Sequence, residues 1–393
     1  MTAGRWRVAV RWTVLIALVV LASLLAVPAA SARFSARKAI WGPDIRNGRS
    51  LWPTYHRLGI GIYETALDWS VVAPERPLHP EDPNGRGVVA PRRPRHPHGP
   101  HGRRAPHHRP RPAPLAYNWP RSLTRSIARA KRYHVQVAIQ LWRAPRWANG
   151  HRSTKWAPRH ASDFAAFATA AARRYPSVHL WMIWGEPNRR GDFMPLMAAK
   201  AGTRLTAQQA RGPHIYAGLL AAAYDALKRV NRRNLVIGGM TFTGGTIDTE
   251  QWIENLKLPD GQTPPLDMYG HNPFGYRRPD LSDPPSPDGE VDLSDLGRLS
   301  ALVDRVLGHG RTVPLFLSEY TIPTHRNAEF PYWVDPQLQA SWLSSAFAVV
   351  HALPQIYALG WIHLFDKPPI YGGLEYAGGR PKPAFSVFAA AHP

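Results

Sequence analysis

Residues 135–142, VQVAIQLW, form an apolar run of strand length, and residues 179–184, HLWMIW, form a second one. Between them, residues 162–175 place four apolar side chains at the three- and four-residue spacing of one helix face. An apolar strand, a helix and a second apolar strand make up the unit from which parallel α/β sheets are built. The stretch 135–184 therefore predicts two parallel strands joined by a helix that covers the sheet.

The same alternation extends along most of the chain. The predicted strands are residues 36–41, 60–69, 135–142, 179–184, 235–242, 266–271, 313–319 and 357–365. The predicted helices are residues 50–57, 119–134, 162–175, 213–230, 249–256, 293–307, a helix that begins at Pro336, and 383–391. Eight strand–helix units in series predict an α/β protein that is a single (β/α)8 TIM barrel. A doubly wound sheet is the competing fold, but no glycine-rich phosphate loop follows the first strand.

Two proline-rich stretches interrupt this alternation. Residues 91–114 contain eight prolines, seven arginines and five histidines, a composition that cannot form a core. We expect a flexible, disordered Pro/Arg/His-rich insertion at about residues 80–114, in the loop after strand two. A second Pro/Asp-rich loop, residues 280–292, follows strand six. Both loops would lie on the face of the barrel where active sites are found.

The first 32 residues have the features of a secretion signal. Three arginines within the first eleven residues precede a 16-residue apolar run, and a small-residue site ending at Ala32 follows. A transmembrane helix needs about 20 apolar residues, so this run is short for a membrane span. We expect a signal peptide over residues 1–32, cleavage after Ala32, secretion, and one folded domain over residues 33–393. A retained membrane anchor is the alternative.

The net charge of +22 lies mostly outside the predicted barrel. Residues 1–38 and 91–114 contain no acidic residue and account for 13 of the 22 charges. A nucleic-acid-binding protein more often has a basic stripe with stacking aromatics in its folded part, so we expect no nucleic-acid partner. The basic insertion predicts at most a weak, salt-sensitive binding of acidic polymers, or no role at all.

The absence of cysteine excludes several kinds of site. With no cysteine in 393 residues, the chain has no disulfide, no thiolate metal site and no cysteine nucleophile. The histidines of the insertion have no regular ligand spacing, so we expect no metal site there.

Two glutamates stand at the ends of predicted strands. Glu186 lies in WMIWGEPN, residues 181–188, and Glu319 lies in LFLSEYTIP, residues 315–323. The carboxyl ends of barrel strands converge on one mouth, so we expect these side chains to face each other. Two opposed carboxylates perform glycoside hydrolysis, in which one protonates the leaving oxygen and the other attacks the sugar carbon or activates water. A single strand-end glutamate is more often a structural acceptor, so the hypothesis depends on the pair.

These motifs resemble those of clan-A retaining glycoside hydrolases, akin to the cellulase-like family five and the xylosidase and exopolysaccharide-hydrolase family thirty-nine. The resemblance covers essentially all of residues 33–393. It implies that Glu186 is the acid/base and Glu319 the nucleophile of a double displacement that needs no metal or organic cofactor. It also implies sugar contacts by Trp361 in LGWIHLF and by His271 in YGHNPF.

Two positions depart from this pattern. Gly185 stands where the related enzymes have an asparagine that holds the sugar 2-hydroxyl, and Asn188 is a candidate substitute donor. Strand two lacks an arginine often found there and offers Glu64, which we interpret as a polar residue inside the barrel.

Aromatic residues at strand ends complete the candidate site. We expect Trp142, Trp184 and Tyr320 to contact the sugar, although packing at the barrel rim explains each of them equally well. The sequence thus predicts a secreted, monomeric, retaining glycosidase of an oligo- or polysaccharide. The alternative, motivated by Gly185, is a catalytically impaired carbohydrate-binding TIM barrel. A retaining mechanism would place the two carboxyl groups about 5–5.5 Å apart, against about 6.5–9.5 Å for an inverting pair.

Overall fold

A computed structural model of the chain describes residues 36–87, 115–286 and 289–392. Eight strands within these ranges form a closed parallel barrel in which each strand pairs with its neighbours in sequence and the last pairs with the first. Strands β1 to β8 are Arg37–Trp41, Ile62–Asp68, Gln136–Trp142, Leu180–Ile183, Leu235–Phe242, Met268–Asn272, Leu315–Tyr320 and Ile356–Ile362. The predicted (β/α)8 barrel is confirmed.

Helices connect the strands and cover the outside of the barrel. Helices α1 to α10 are Trp52–Arg57, Trp69–Val72, Arg121–Arg132, Arg146–Asn149, Ala161–Arg174, Ala207–Val230, Thr249–Glu254, Leu296–Leu307, Pro336–Ala352 and Pro383–Ala390. In the ranges that the structure describes, no helix has both the length and the apolar character needed to cross a membrane.

Helix α6 begins earlier than the sequence pattern suggests. We expected a start at Pro213, the residue type favoured in a first helical turn. The helix instead begins after Thr206, whose hydroxyl accepts a hydrogen bond from the Gln209 amide nitrogen while the Gln209 side chain bonds back to the Thr206 nitrogen. This reciprocal capping box fixes the start, and Pro213 lies inside the helix.

Alternation along the strands separates two apolar layers. The barrel interior is filled by Ala39, Ile62, Ala138, Leu180, Met182, Ile237, Met240, Met268, Phe316 and Ala358. The opposite faces of the strands pack against the helices in a second, larger cluster. On β8, for example, Ala358 faces inward while Leu359 and Trp361 face the helices. The inward positions nearest the carboxyl ends therefore become the floor and walls of the mouth.

Glu64, on β2, is a fully buried acid in the barrel interior. Its Oε2 accepts a hydrogen bond from the Ser318 hydroxyl at 2.7 Å, and the Trp41 indole donates to the same hydroxyl at 3.0 Å. Burial raises the pKa of Glu64 well above its ordinary value, which favours the protonated carboxyl. Glu64 therefore lies in the barrel interior, where the sequence interpretation put it.

The start of the predicted insertion pairs with the segment that follows the insertion. Arg86 pairs with Leu115 in an antiparallel bridge, and the Trp119 indole donates to the Pro83 carbonyl at 2.8 Å. A backbone bridge and a side-chain hydrogen bond thus connect residues 80–87 to the segment after the insertion. The rest of the predicted insertion, residues 88–114, and the predicted signal peptide lie outside the described residues.

Candidate active site

A pocket of about 260 Å³ opens at the carboxyl ends of the barrel strands, and both Glu186 and Glu319 line it. Glu319 lies near the end of β7, and Glu186 follows β4 by three residues. The aromatic part of the pocket wall consists of Trp41, Trp142, Phe242, Phe274 and Phe330. The structure therefore brings the two predicted carboxylates to one aromatic-walled pocket.

The chain turns sharply where β4 ends. Trp184 has φ +65° and Glu186 has φ +46°, a left-handed conformation that is uncommon for residues with side chains. The Glu186 nitrogen donates to the Met240 carbonyl at 2.9 Å, which fixes the turn against β5. Such strained positions persist where the surroundings impose them, and they are concentrated at functional sites.

Two donors hold the Glu186 carboxylate. Oε2 accepts a hydrogen bond from Nη1 of Arg189 at 2.7 Å, and Oε1 accepts one from Nδ2 of Asn272 at 3.0 Å. The same guanidinium bonds to Glu329 at 2.9 Å and lies 3.7 Å from a carboxylate oxygen of Asp192. Arg189 is thus shared by three carboxylates at the pocket.

Glu319 has no hydrogen-bond partner among the described residues. Burial raises its pKa well above the ordinary value, and the negative charge of Glu186 raises it further. Burial also raises the pKa of Glu186, but Arg189 and the Asn272 amide oppose that effect. Burial therefore favours the neutral form of both carboxyls, and more strongly for Glu319 than for Glu186.

In the absence of ligand, one of the two carboxyls is therefore more easily protonated than the other. The Glu186 anion is stabilised by a guanidinium and an amide, whereas the Glu319 anion has neither. With one proton on the pair, the ligand-free structure favours Glu319 as the protonated member. The acid/base and nucleophile roles that the resemblance implies require the opposite distribution during reaction.

Only one of the six predicted sugar-contacting residues, Trp142, lines the pocket. Trp361 and Tyr320 point away from the mouth and meet edge to face, with ring centroids 5.8 Å apart. The Trp361 indole donates to the Gly372 carbonyl at 3.1 Å, so its polar group is already used. The reason is strand alternation: Ile362, one residue later, lines the pocket together with His363.

The same one-residue difference separates His271 from the pocket. His271 is fully buried, with its ring nitrogens hydrogen-bonded to the Thr241 hydroxyl and the Val291 carbonyl, each at 2.8 Å. Burial lowers its pKa to about 4, so the ring stays neutral and holds the loop after β6. Asn272 is the β6 residue that reaches the site.

Asn188 and Trp184 also lie outside the pocket. The Asn188 side chain donates to the carbonyls of Phe242 and Ile247 and accepts from the Phe242 nitrogen. Its polar atoms thus join the loop after β4 to the end of β5 and to the loop after β5. The Trp184 indole donates to the Asp192 carbonyl at 2.9 Å. Asn188 therefore does not supply the hydroxyl contact that Gly185 lacks.

The pocket contains polar residues that the sequence interpretation missed. Gln140 lies two residues before Trp142 on the same face of β3, so alternation from Trp142 could have found it. Arg189 follows Glu186 by three residues, and one turn of the chain brings its guanidinium back to the Glu186 carboxylate. Glu329 lies in the loop after β7 and had no signal in the sequence.

Several buried polar atoms at the pocket have no partner in the described part of the chain. The Trp142 indole nitrogen and Nδ1 of His363 are such atoms, and both residues line the pocket. Buried polar atoms are nearly always hydrogen-bonded, so a ligand or water is expected to meet them. Over the described ranges, no group of three or more His, Asp or Glu side chains is arranged to hold a metal ion.

Comparison with known proteins gives a likeness in fold. No protein family matches the chain, and no curated protein is significantly similar in sequence. A family 39 glycoside hydrolase from Bacteroides cellulosilyticus matches with a TM-score of 0.58 and 14% identity over 92% of this chain. A glucosidase from Croceicoccus marinus matches with a TM-score of 0.60 and 14% identity over 91% of this chain. A monomeric β-xylosidase from Caulobacter crescentus matches with a TM-score of 0.56 and 15% identity over 90% of this chain.

The chain spans 64% of the Bacteroides enzyme and 67% of the other two. These matches include the predicted family thirty-nine, whereas the resemblance to family five stays a prediction. At this level of identity the likeness concerns the fold: the chain has the same (β/α)8 barrel as these glycoside hydrolases.

Proposed function

We propose that this protein is a glycoside hydrolase that cleaves β-O-glycosidic bonds of an oligo- or polysaccharide with retention of configuration. The observation that carries the proposal is the meeting of Glu186 and Glu319, from two distant segments of the barrel, in one pocket with aromatic walls. Aromatic faces suit the apolar faces of sugar rings, and a carboxyl pair suits attack and protonation at a glycosidic bond. The likeness in fold to glycoside hydrolases supports the same conclusion.

The proposed reaction has two displacements. The Glu319 carboxylate attacks the anomeric carbon while the glycosidic bond breaks and the Glu186 proton passes to the departing oxygen. Glu186 then takes a proton from water, whose oxygen attacks the anomeric carbon and releases Glu319. The proton returns to Glu186, so the enzyme ends as it began and needs no external reactant besides water.

The proton must move within the pair before or during the first displacement. The ligand-free environment favours a proton on Glu319, and the reaction needs it on Glu186. In the bound substrate, the anomeric carbon carries a partial positive charge beside Glu319, which stabilises the Glu319 anion and so favours the proton on Glu186 before the attack. Arg189 can then keep its bonds to Glu329 and Asp192 while Glu186 becomes neutral.

Turnover of aryl glycosides tests the function. We would incubate the purified protein with 4-nitrophenyl β-D-xyloside, 4-nitrophenyl β-D-glucoside and a panel of polysaccharides, and determine the product anomer by NMR. Turnover with a β-anomeric product, lost in Glu319→Ala and kept in Glu254→Ala, supports the proposal. Glu254 is a suitable control because its side chain is 57% exposed on α7. Turnover that survives Glu319→Ala rejects the assignment.

A carbohydrate-binding barrel without turnover is the second candidate. The ion pair between Arg189 and Glu186 favours it, because it stabilises the ionised form of the carboxyl that should act as an acid. Under this alternative, calorimetry would detect oligosaccharide binding that is unchanged in Glu319→Ala, and no glycoside would be hydrolysed.

We further propose that the protein is exported after cleavage at Ala32 and acts as a monomer. Mass spectrometry of protein from the culture medium should give an N-terminus at Arg33, and light scattering should give one chain per particle. Intact protein retained in the membrane would contradict export. Weak binding of acidic polymers by the basic insertion should disappear at high salt.

A further inference from the structure

Gln140 is a largely buried residue whose amide faces the candidate active site without a partner among the described residues. It lies on β3 between Ala138 and Trp142, on the strand face that leads from the barrel interior to the pocket. Only 5% of the residue is exposed, and its amide makes no hydrogen bond to any residue that the structure describes. A primary amide offers two donors and an acceptor, and here these groups face the pocket, where they can bind water or a ligand.

The glycine before the acid/base makes room for this amide. A Cβ atom at Gly185 would lie 2.6 Å from Nε2 and 3.0 Å from Cδ of Gln140. Gly185 does not have a left-handed backbone, so conformation does not require a glycine there. The requirement is one of space: the Gln140 amide occupies the volume that a side chain at position 185 would fill.

We propose that Gln140 determines substrate specificity by hydrogen-bonding the hydroxyl on C2 of the sugar in this pocket. The inference rests on the proposed function. Because the amide lies against the residue that precedes Glu186, the sugar atoms within its reach are those next to the reacting bond. The carboxyl pair acts on C1, and the substituent nearest to C1 on the carbon ring is that of C2.

The chemistry of the amide fits a hydroxyl better than a charged substituent. A hydroxyl both donates and accepts a hydrogen bond, and an amide offers both functions without a net charge. Hydrogen bonds to this hydroxyl strengthen as the transition state forms, so the contribution should act on kcat as well as on KM. Gln140 is therefore a specificity-determining residue, while Glu186 and Glu319 perform the bond changes.

Deoxy substrates provide the first test. Kinetics of 2,4-dinitrophenyl β-D-glucoside, the matching xyloside and their 2-deoxy analogues would be measured for wild type, Gln140→Ala, and the control Gln136→Ala on the exposed start of β3. We expect Gln140→Ala to lower kcat/KM about 10- to 100-fold for the 2-hydroxy glycosides and to leave the 2-deoxy values nearly unchanged. For each substrate the loss is the ratio of kcat/KM in wild type to that in the variant, so differences in intrinsic reactivity between the substrates cancel. An equal loss on both substrates, or no loss, overturns the inference.

Stability separates a substrate contact from a structural one. The amide has no protein partner in the described ranges, so Gln140→Leu should keep or raise the melting temperature while lowering kcat/KM. A structural glutamine would show the reverse. A fall in melting temperature together with unchanged discrimination against the 2-deoxy substrates overturns the proposal.

Exchange of the two positions is the second test. Gly185→Asn alone should displace the Gln140 amide and lower activity, because both side chains require the same volume. Combining it with Gln140→Gly should restore part of the loss by returning an amide to that volume, whereas the pair Gly185→Ala with Gln140→Gly should restore none. Effects of Gly185→Asn that are equal in the presence and absence of Gln140 overturn the inference.

Binding keeps the inference testable if wild type hydrolyses no glycoside. Such a result rejects the proposed function alone, and calorimetry with 1-deoxynojirimycin and its 2-deoxy analogue fagomine then tests Gln140. Wild type should bind 1-deoxynojirimycin at least about tenfold more tightly than fagomine, and Gln140→Ala should bind the two alike. Equal preference in both proteins, or binding of neither compound by wild type, overturns the role of Gln140.

Discussion

Replacement of Arg189 by methionine should move the whole pH–activity profile to higher pH. Arg189 lies 2.7 Å from a carboxylate oxygen of Glu186 and is the nearest cation to the carboxyl pair in the described ranges. The active form of the pair carries one proton, so kcat/KM is bell-shaped and its limbs belong to the pair. Loss of a nearby positive charge destabilises each ionised form, which raises both limbs. It raises the acidic limb most, because Glu186, the carboxyl that ionises first in the free enzyme, is in direct contact with Arg189.

The size of the shift follows from the geometry. Unit charges about 4 Å apart interact by about 1 kcal/mol in water and about 4 kcal/mol near a protein surface. The Arg189 side chain is 33% exposed and is shared with Glu329 and Asp192, so we take the lower part of this range, about 1–2 kcal/mol. At about 1.4 kcal/mol per pH unit, the profile should move by about one unit.

The measurement is kcat/KM for a 4-nitrophenyl glycoside between pH 4 and pH 9 at constant ionic strength. Arg298→Met is the matched control, because Arg298 makes ion pairs with Glu250 and Asp295 on the outside of the barrel. The control profile should coincide with that of wild type. A profile of Arg189→Met that stays in place or moves to lower pH would refute the proposed electrostatics of the pair.

Three further predictions concern the carboxyls and the insertion. Glu186→Ala should accumulate the glycosyl-enzyme with a dinitrophenyl glycoside and yield a β-glycosyl azide with azide, whereas Glu319→Gly should yield the α-azide; exchanged anomers would exchange the two roles. Glu64→Gln should keep activity within about threefold and leave the pH profile in place, because burial favours the neutral form of Glu64, and a large loss would contradict a neutral Glu64. Deletion of residues 91–114 should change the melting temperature by no more than about 2 °C, since a segment of that composition adds little buried area; a larger fall would show that it packs.

The fold could be predicted from local patterns because most strands and helices carry a recognisable sequence signal within a few residues. Apolar runs, helical spacing and caps such as Asp335 before Pro336 are local signals, and their order along the chain leaves few topologies. The short helices α2 and α4 were not predicted, and the start of α6 was predicted too late. Pro213 is a common first-turn residue, but the capping box at Thr206 and Gln209 is the stronger signal and defines the true start.

A site residue could be predicted only where it lies at the end of a strand and the strand face that points to the pocket is known. Glu186 and Glu319 reach the pocket, whereas Trp361 and His271 miss it by one residue each, since neighbouring residues of a strand face opposite sides. A sequence motif locates a strand end to within a residue or two, which suffices for the fold but not for the face. Counting in twos from Trp142 gives Gln140, the interior-facing residue that a motif search overlooks.

Gly185 illustrates what could not be read from one segment. In the sequence it looks like the loss of a polar side chain beside the acid/base. In the barrel, β3 and β4 pair with Gln140 opposite Met182, three residues before Gly185. The left-handed residues Trp184 and Glu186 turn the chain after β4 so that Gly185 meets the Gln140 amide rather than continuing past it. The contact depends on pairing register and on a local turn together, and neither is encoded in a motif. A glycine at a functional position therefore has to be interpreted with its neighbour across the sheet, because the group that it lacks can be supplied from the adjacent strand.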